Sequence, residues 1–173
     1  MNLYLVGVIV LLAAAAVIYR CLHRRPDDTP GSITRTLITG ALLYGVIGPP
    51  VGLLVVTLTM SIPQLMRDLE GLQVAYLVGG LPAVMCGVTA GALKPARSSS
   101  SWSAESTWPA FALACAAGAV YGFALVLAIV NSDSMRFADE ALRAGAAPGL
   151  AAAAVCTLLF HGRPWMAHKP RPT

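Results

Sequence analysis

Residues 37–62 read LITGALLYGVIGPPVGLLVVTLTMSI, a run with no Asp, Glu, Lys, Arg or His and with Pro49 and Pro50 at its middle. An α-helix rises ~1.5 Å per residue and the hydrocarbon core of a bilayer is ~30 Å thick, so about 20 mostly apolar residues cross it. The run is long enough to do so. A buried strand is far shorter and bounded by turns, and a strand of a membrane β-barrel alternates apolar and polar residues, which this run does not.

Four further runs resemble it: residues 3–19, 72–93, 109–130 and 145–160, again without Asp, Glu, Lys or Arg. The reading is therefore all-α, a polytopic transmembrane helical bundle of five spans. It forms a single integral membrane domain over residues 1–173 with no soluble domain. Four crossings would remain if the second run were re-entrant or the last, which is the shortest, did not span. Composition agrees. Of 173 residues 57% are apolar, 12% are charged, and the mean hydropathy is +0.70; soluble domains carry roughly 25% charged residues.

The charges sit between the runs. Arg20, Arg24, Arg25 and Arg35 lie in the first connection, Lys94 and Arg97 in the third, and Arg163, Lys169 and Arg171 in the tail. Only Arg67, Arg136 and Arg143 lie in the alternate connections. Cytoplasmic loops carry the excess of Lys and Arg, so the expected orientation places the N-terminus outside and the tail in the cytoplasm. The expected location is a bacterial inner membrane. Trp102, Trp108 and Trp165 fall on the same inner side, near span ends where interfacial aromatics are favoured. The net charge of +4 is thus a topology signal, and no nucleic-acid partner is expected. If Gly48-Pro49-Pro50 made a re-entrant hairpin, everything downstream would flip. Seven basic residues would then face five, and the bias would nearly vanish, which favours a kinked crossing. The first run starts without a basic segment and has its arginines after it, the pattern of an uncleaved anchor rather than a signal peptide.

Catalysis and metal binding find little support. Cys21, Cys86, Cys115 and Cys156 form no C-x-x-C pair and read as small apolar fillers. His23, His161 and His168 match no ligand spacing and read as surface residues. No H-E-x-x-H, G-x-S-x-G or phosphate loop is present. No cofactor or metal is expected, and the chain reads as a non-enzyme. No ionisable group of the kind that couples protons or ions lies inside a run.

Two features remain. Small residues recur at spacing four: Gly79, Ala83, Gly87 and Gly91; Ala110, Ala114, Gly118 and Gly122; Gly145, Gly149 and Ala153. Lipid gives helices no hydrophobic reason to associate, so close backbone approach at small residues supplies the packing. Such faces suit a compact bundle or a protein partner. Prolines are the second feature. Pro49, Pro50 and Pro82 lack an N–H and so free the carbonyls of Gly45, Val46 and Val78 at bilayer depth, where something must satisfy them. Tyr44, Thr57, Thr89 and Tyr121 are the candidate partners. An internal echo accompanies the prolines: Tyr44-x-Val46-x-Gly48-x-Pro50 against Tyr76-x-Val78-x-Gly80-x-Pro82. Broken helices in corresponding places can mark a transporter's midplane site; kinks that serve packing alone are the plainer account.

The 131–144 connection is expected to hold a short external helix, with i,i+4 pairs Arg136–Glu140 and Asp139–Arg143, ended by Gly145. By elimination the expected function is a non-catalytic membrane protein acting by protein contact, such as an immunity or accessory protein for a membrane-acting toxin or partner subunit. Its contact surface would be the external helix and the Gly79–Gly91 face. The alternative is a small permease or channel component working at the kinked second and third helices, with Tyr44, Gly48, Pro49, Pro50, Tyr76, Gly80, Pro82 and Tyr121 as the candidate kink or polar site.

Overall fold

The computed structural model describes residues 3–23, 29–61, 69–94, 104–130, 139 and 141–161. Among the described residues the structure has five long helices: α1 (Leu3–Leu22), α2 (Pro30–Met60), α3 (Leu69–Leu93), α4 (Ala104–Val130) and α5 (Ala147–His161), the last entered through a π-helical turn at Leu142–Ala146. Taken with its π turn, the last span is Leu142–Phe160, and all five spans are long and apolar enough to cross a membrane. Among the described residues there is no strand. The chain is an integral membrane protein with a helical-bundle fold. Its outer surface fits that solvent, for Leu11, Leu58, Leu69 and Leu77 are each at least 70% exposed. An apolar surface of this kind is tolerated in lipid and not in water.

The helices overrun the apolar runs at several ends. α2 starts at Pro30, seven residues before Leu37, because Thr29 caps it. The Thr29 hydroxyl accepts from the Ser32 N–H at 3.3 Å and the Ser32 hydroxyl accepts from the Thr29 N–H at 3.1 Å. Pro30 follows at the first helical position, where its missing N–H costs nothing. The 31 residues of α2 span about 46 Å, more than the hydrocarbon core. α2 also runs unbroken through Pro49 and Pro50, so the second run is a single crossing and not a hairpin.

The last span also begins earlier than the apolar run suggests. Gly145 does not end a helix; it lies inside the π turn, whose closing bond runs from the Ala147 N–H to the Leu142 carbonyl. The physical reason is three residues further on. Pro148 cannot donate to the carbonyl of Ala144 and its ring crowds that carbonyl, and a wider i→i+5 turn relieves both.

Four helices make the core. α2 lies antiparallel to α3, through Gly40 against Gly87 and Gly48 against Ala83. α4 lies antiparallel to α5, through Gly118 against Gly149 and Gly122 against Gly145. α2 also packs on α5, and α3 on α4. α1 sits outside, against α3 and α4, and commits only Ile9 and Ala13 to full burial, one turn apart.

Candidate functional site

The glycine spacing resolves into two seams. A Cβ built on Gly40 would strike the Gly87 carbonyl, and one built on Gly87 would strike the Gly40 carbonyl and crowd Tyr44. Gly91 is nearly as tight, with the Thr36 carbonyl oxygen 3.0 Å from such a Cβ. The α4–α5 seam repeats the arrangement twice, at Gly118 with Gly149 and at Gly122 with Gly145. The small-residue faces are therefore covered within the chain: Gly87 and Gly91 meet α2, and Gly118 and Gly122 meet α5.

The hydroxyls are satisfied internally. Thr157 donates to the Ala153 carbonyl at 2.6 Å, so the buried Tyr44 phenol donates to Thr157, at 2.5 Å. Thr89 donates to the Met85 carbonyl at 2.9 Å, so Tyr121 donates to Thr89, at 3.0 Å. Thr57 bonds its own helix at the Leu53 carbonyl, 2.8 Å away. None of these four groups is bonded to a carbonyl freed by proline. The Val46 carbonyl is instead taken by Tyr76, whose phenol donates to it across the helix pair at 2.8 Å. The partner of Pro50's orphan is thus the tyrosine of the second copy of the echoed motif. The echo itself does not extend to equivalent surroundings. Tyr44 is fully buried while Tyr76 is 40% exposed. Gly48 touches Ala83, whereas a Cβ on Gly80 would meet nothing within 4 Å.

Beyond Pro49 the α2 contacts loosen. A Cβ on Gly79 would stand 3.9 Å from Pro49, and one on Gly52 would stand 3.9 Å from Pro148. The space so opened is a cavity of about 500 Å³ between α2, α3, α4 and α5. Tyr44, Cys86 and Ala153 line it from the middle parts of α2, α3 and α5. Gly48, Pro49, Gly79, Pro82 and Ala83 line it from α2 and α3, and Gly118, Gly122, Gly145 and Pro148 from the opposite wall. Its far end lies where α2 finishes and α3 begins, at Val56, Gly71 and the exposed Glu70. The other end of the bundle is closed by the Tyr44–Thr157 bond and by Lys94, whose ammonium lies 4.0 Å over the Phe160 ring.

Of the residues singled out from sequence, Tyr44, Gly48, Pro49, Gly79, Pro82, Ala83, Gly118 and Gly122 meet at this cavity. Pro50, Tyr76, Gly80, Tyr121, Gly87 and Gly91 do not line it. Asp139 pairs with Arg143 at 3.2 Å, both side chains about 70% exposed; Arg136 and Glu140 lie outside the described residues. Sequence reasoning missed Glu70 and Pro148. Glu70 lies outside the apolar run 72–93, in the first turn of α3. Pro148 had a readable signal, an intramembrane proline beside a glycine pair.

The lining is apolar apart from Glu70 at its end and the Tyr44 and Cys86 groups. The Cys86 thiol faces the Ala114 carbonyl at 3.5 Å. Among the described residues no group of His, Cys, Asp and Glu side chains is placed to hold a metal ion. The arrangement is suited to surrounding an apolar molecule. Comparison with protein-family models, with curated proteins and with solved structures gives no match.

Proposed function

We propose that this chain is a non-catalytic bacterial inner-membrane protein, N-terminus outside, that takes an apolar or amphipathic molecule into the cavity between α2 and α5. It would act as a small carrier or a carrier component. The observation that supports the reading is the cavity itself. Close-packed bundles leave few voids larger than a water molecule, and 500 Å³ falls among ligand pockets, typically ~300–1,000 Å³. The prolines and the Tyr76–Val46 bond lie beside it, where α2 departs from its neighbours. A wholly polar substrate finds few groups there, since the tyrosine and threonine hydroxyls are already engaged.

Thermal unfolding in mild detergent tests the reading. A neutral apolar ligand should raise Tm with increasing concentration, since a molecule that binds only the folded state stabilises it. Gly79→Leu and Gly52→Leu put a side chain into the cavity where a Cβ has room. Both should fold and lose that ligand-dependent rise. An undiminished rise in both variants would place the ligand elsewhere.

The second reading is a protein acting by contact, such as an immunity or accessory protein. With the glycine faces packed inside the bundle, it rests on the external segment around the exposed Asp139–Arg143 pair. Reversing both charges should then abolish capture of the partner, while Gly79→Leu leaves capture intact.

A further inference from the structure

The chemistry of the lining narrows the ligand; this inference rests on the cavity reading above. Among the described residues that line the cavity, Glu70 is the only one with a formal charge at neutral pH, and none is Lys, Arg or His. Glu70 stands in the first turn of α3, and a helix N-terminus favours the ionised carboxylate there. That is the ordinary role of such a residue. Here, however, the same side chain also borders an apolar chamber that reaches down to Tyr44, with no described cation on the walls to balance it. An anionic amphiphile entering this space would bring its charge toward a carboxylate, and a neutral one would gain nothing from it. A cation attached to an apolar body would set its charge at the end of the chamber and its body below.

We infer that the cavity selects a lipophilic cation, an apolar or aromatic body carrying one ammonium- or phosphonium-like charge, with Glu70 as its counter-ion. Coulomb attraction at the edge of a low-dielectric cavity exceeds that in bulk water, so charge sign decides between ligands of equal size. Bulk is set by the walls and sign by Glu70.

The test uses the full-length protein in mild detergent and two probes of similar bulk, tetraphenylphosphonium and the neutral tetraphenylsilane, each with four phenyl groups on one central atom. Saturable binding is measured by equilibrium dialysis. Tetraphenylphosphonium should bind at least about tenfold more tightly than the neutral probe. Glu70→Gln should erase that difference, and Glu70→Asp should keep most of it. Gly79→Leu should weaken both probes. Equal affinity for the two probes, unchanged in Glu70→Gln but lost in Gly79→Leu, would overturn the role of Glu70 and leave the cavity as the binding site. Absence of saturable binding by either probe would overturn both. Glu70→Gln is isosteric and exposed, and a monodisperse elution profile confirms that the variant is folded.

Discussion

In the α4–α5 pair, a Cβ on Gly118, Gly122, Gly145 or Gly149 would strike the backbone of the facing helix; in the α2–α3 pair this holds for Gly40 and Gly87 but not for Gly79. Both pairs begin from small residues at spacing four, and both are antiparallel. They differ in what the prolines do. Pro148 is absorbed by a π turn that keeps Gly145 against Gly122, so the α4–α5 seam stays closed. Pro49 and Pro50 sit inside a continuous helix, Pro49 against Gly79, and past them the α2 contacts widen to van der Waals distance. One seam serves as a wall and the other as half wall, half chamber. Identical residues therefore have different meanings according to which side of the prolines they occupy.

The largest expected effect tests the wall. Gly122→Leu forces a side chain into the Gly145 backbone, which has no rotamer to yield. Overpacking of a few methylenes already costs about 1–3 kcal/mol, and a whole leucine against main chain exceeds that. The variant should lose its monodisperse peak on detergent size-exclusion chromatography. Gly79→Leu, at a glycine of the opened seam, should elute as wild type. It should also gain up to about 1 kcal/mol, because glycine is a poor helix residue. If the two variants behave alike, the distinction between the seams is wrong.

Much of this architecture was legible in advance, and the limits have physical causes. Five apolar runs gave five spans, since spanning is a matter of length and hydropathy. Their ends were harder. A hydropathy run stops at Arg35, while the α2 helix extends past the hydrocarbon to the Thr29–Ser32 cap. Spacing of four marked the faces of Gly87, Gly118 and Gly122, but periodicity does not say which helix covers a face. The cavity was not legible at all, because it comes from divergence of helices and from no residue taken alone. Tyr76 was noticed for the wrong reason. It entered through an internal echo, and its bond to a carbonyl 30 residues earlier cannot be read from local pattern.

The hinge between the two behaviours is the bond from Tyr76 to the Val46 carbonyl. Interhelical side-chain hydrogen bonds in membranes are worth about 0.6 kcal/mol on average and up to ~1.7. Tyr76→Phe should cost in that range, read as a fall in midpoint in a detergent denaturation series. Pro50→Ala restores the backbone N–H that would otherwise satisfy Val46. In that background Tyr76→Phe should cost much less, and the difference is the coupling measured by a double-mutant cycle. Strict additivity would mean that Tyr76 is not compensating for Pro50.

The smallest effect bears on what holds the α4–α5 pair in register. Two features stand at one end of it, the glycine contact Gly122–Gly145 and the ion pair Asp139–Arg143. The second is conspicuous on a chain with so few charges, and Arg143 lies within the π turn itself. Yet both partners are about 70% exposed, and exposed i,i+4 pairs contribute about 0.3–0.5 kcal/mol, less as salt rises. Asp139→Asn should therefore change stability by no more than about 0.5 kcal/mol, and the change should fade in high salt. A loss on the scale of Gly122→Leu would show that the charged turn, and not the glycine contact, fixes where α5 begins. The closed seam would then owe its closure to the membrane surface, and the parallel drawn between its glycines and those of α2–α3 would have to be given up.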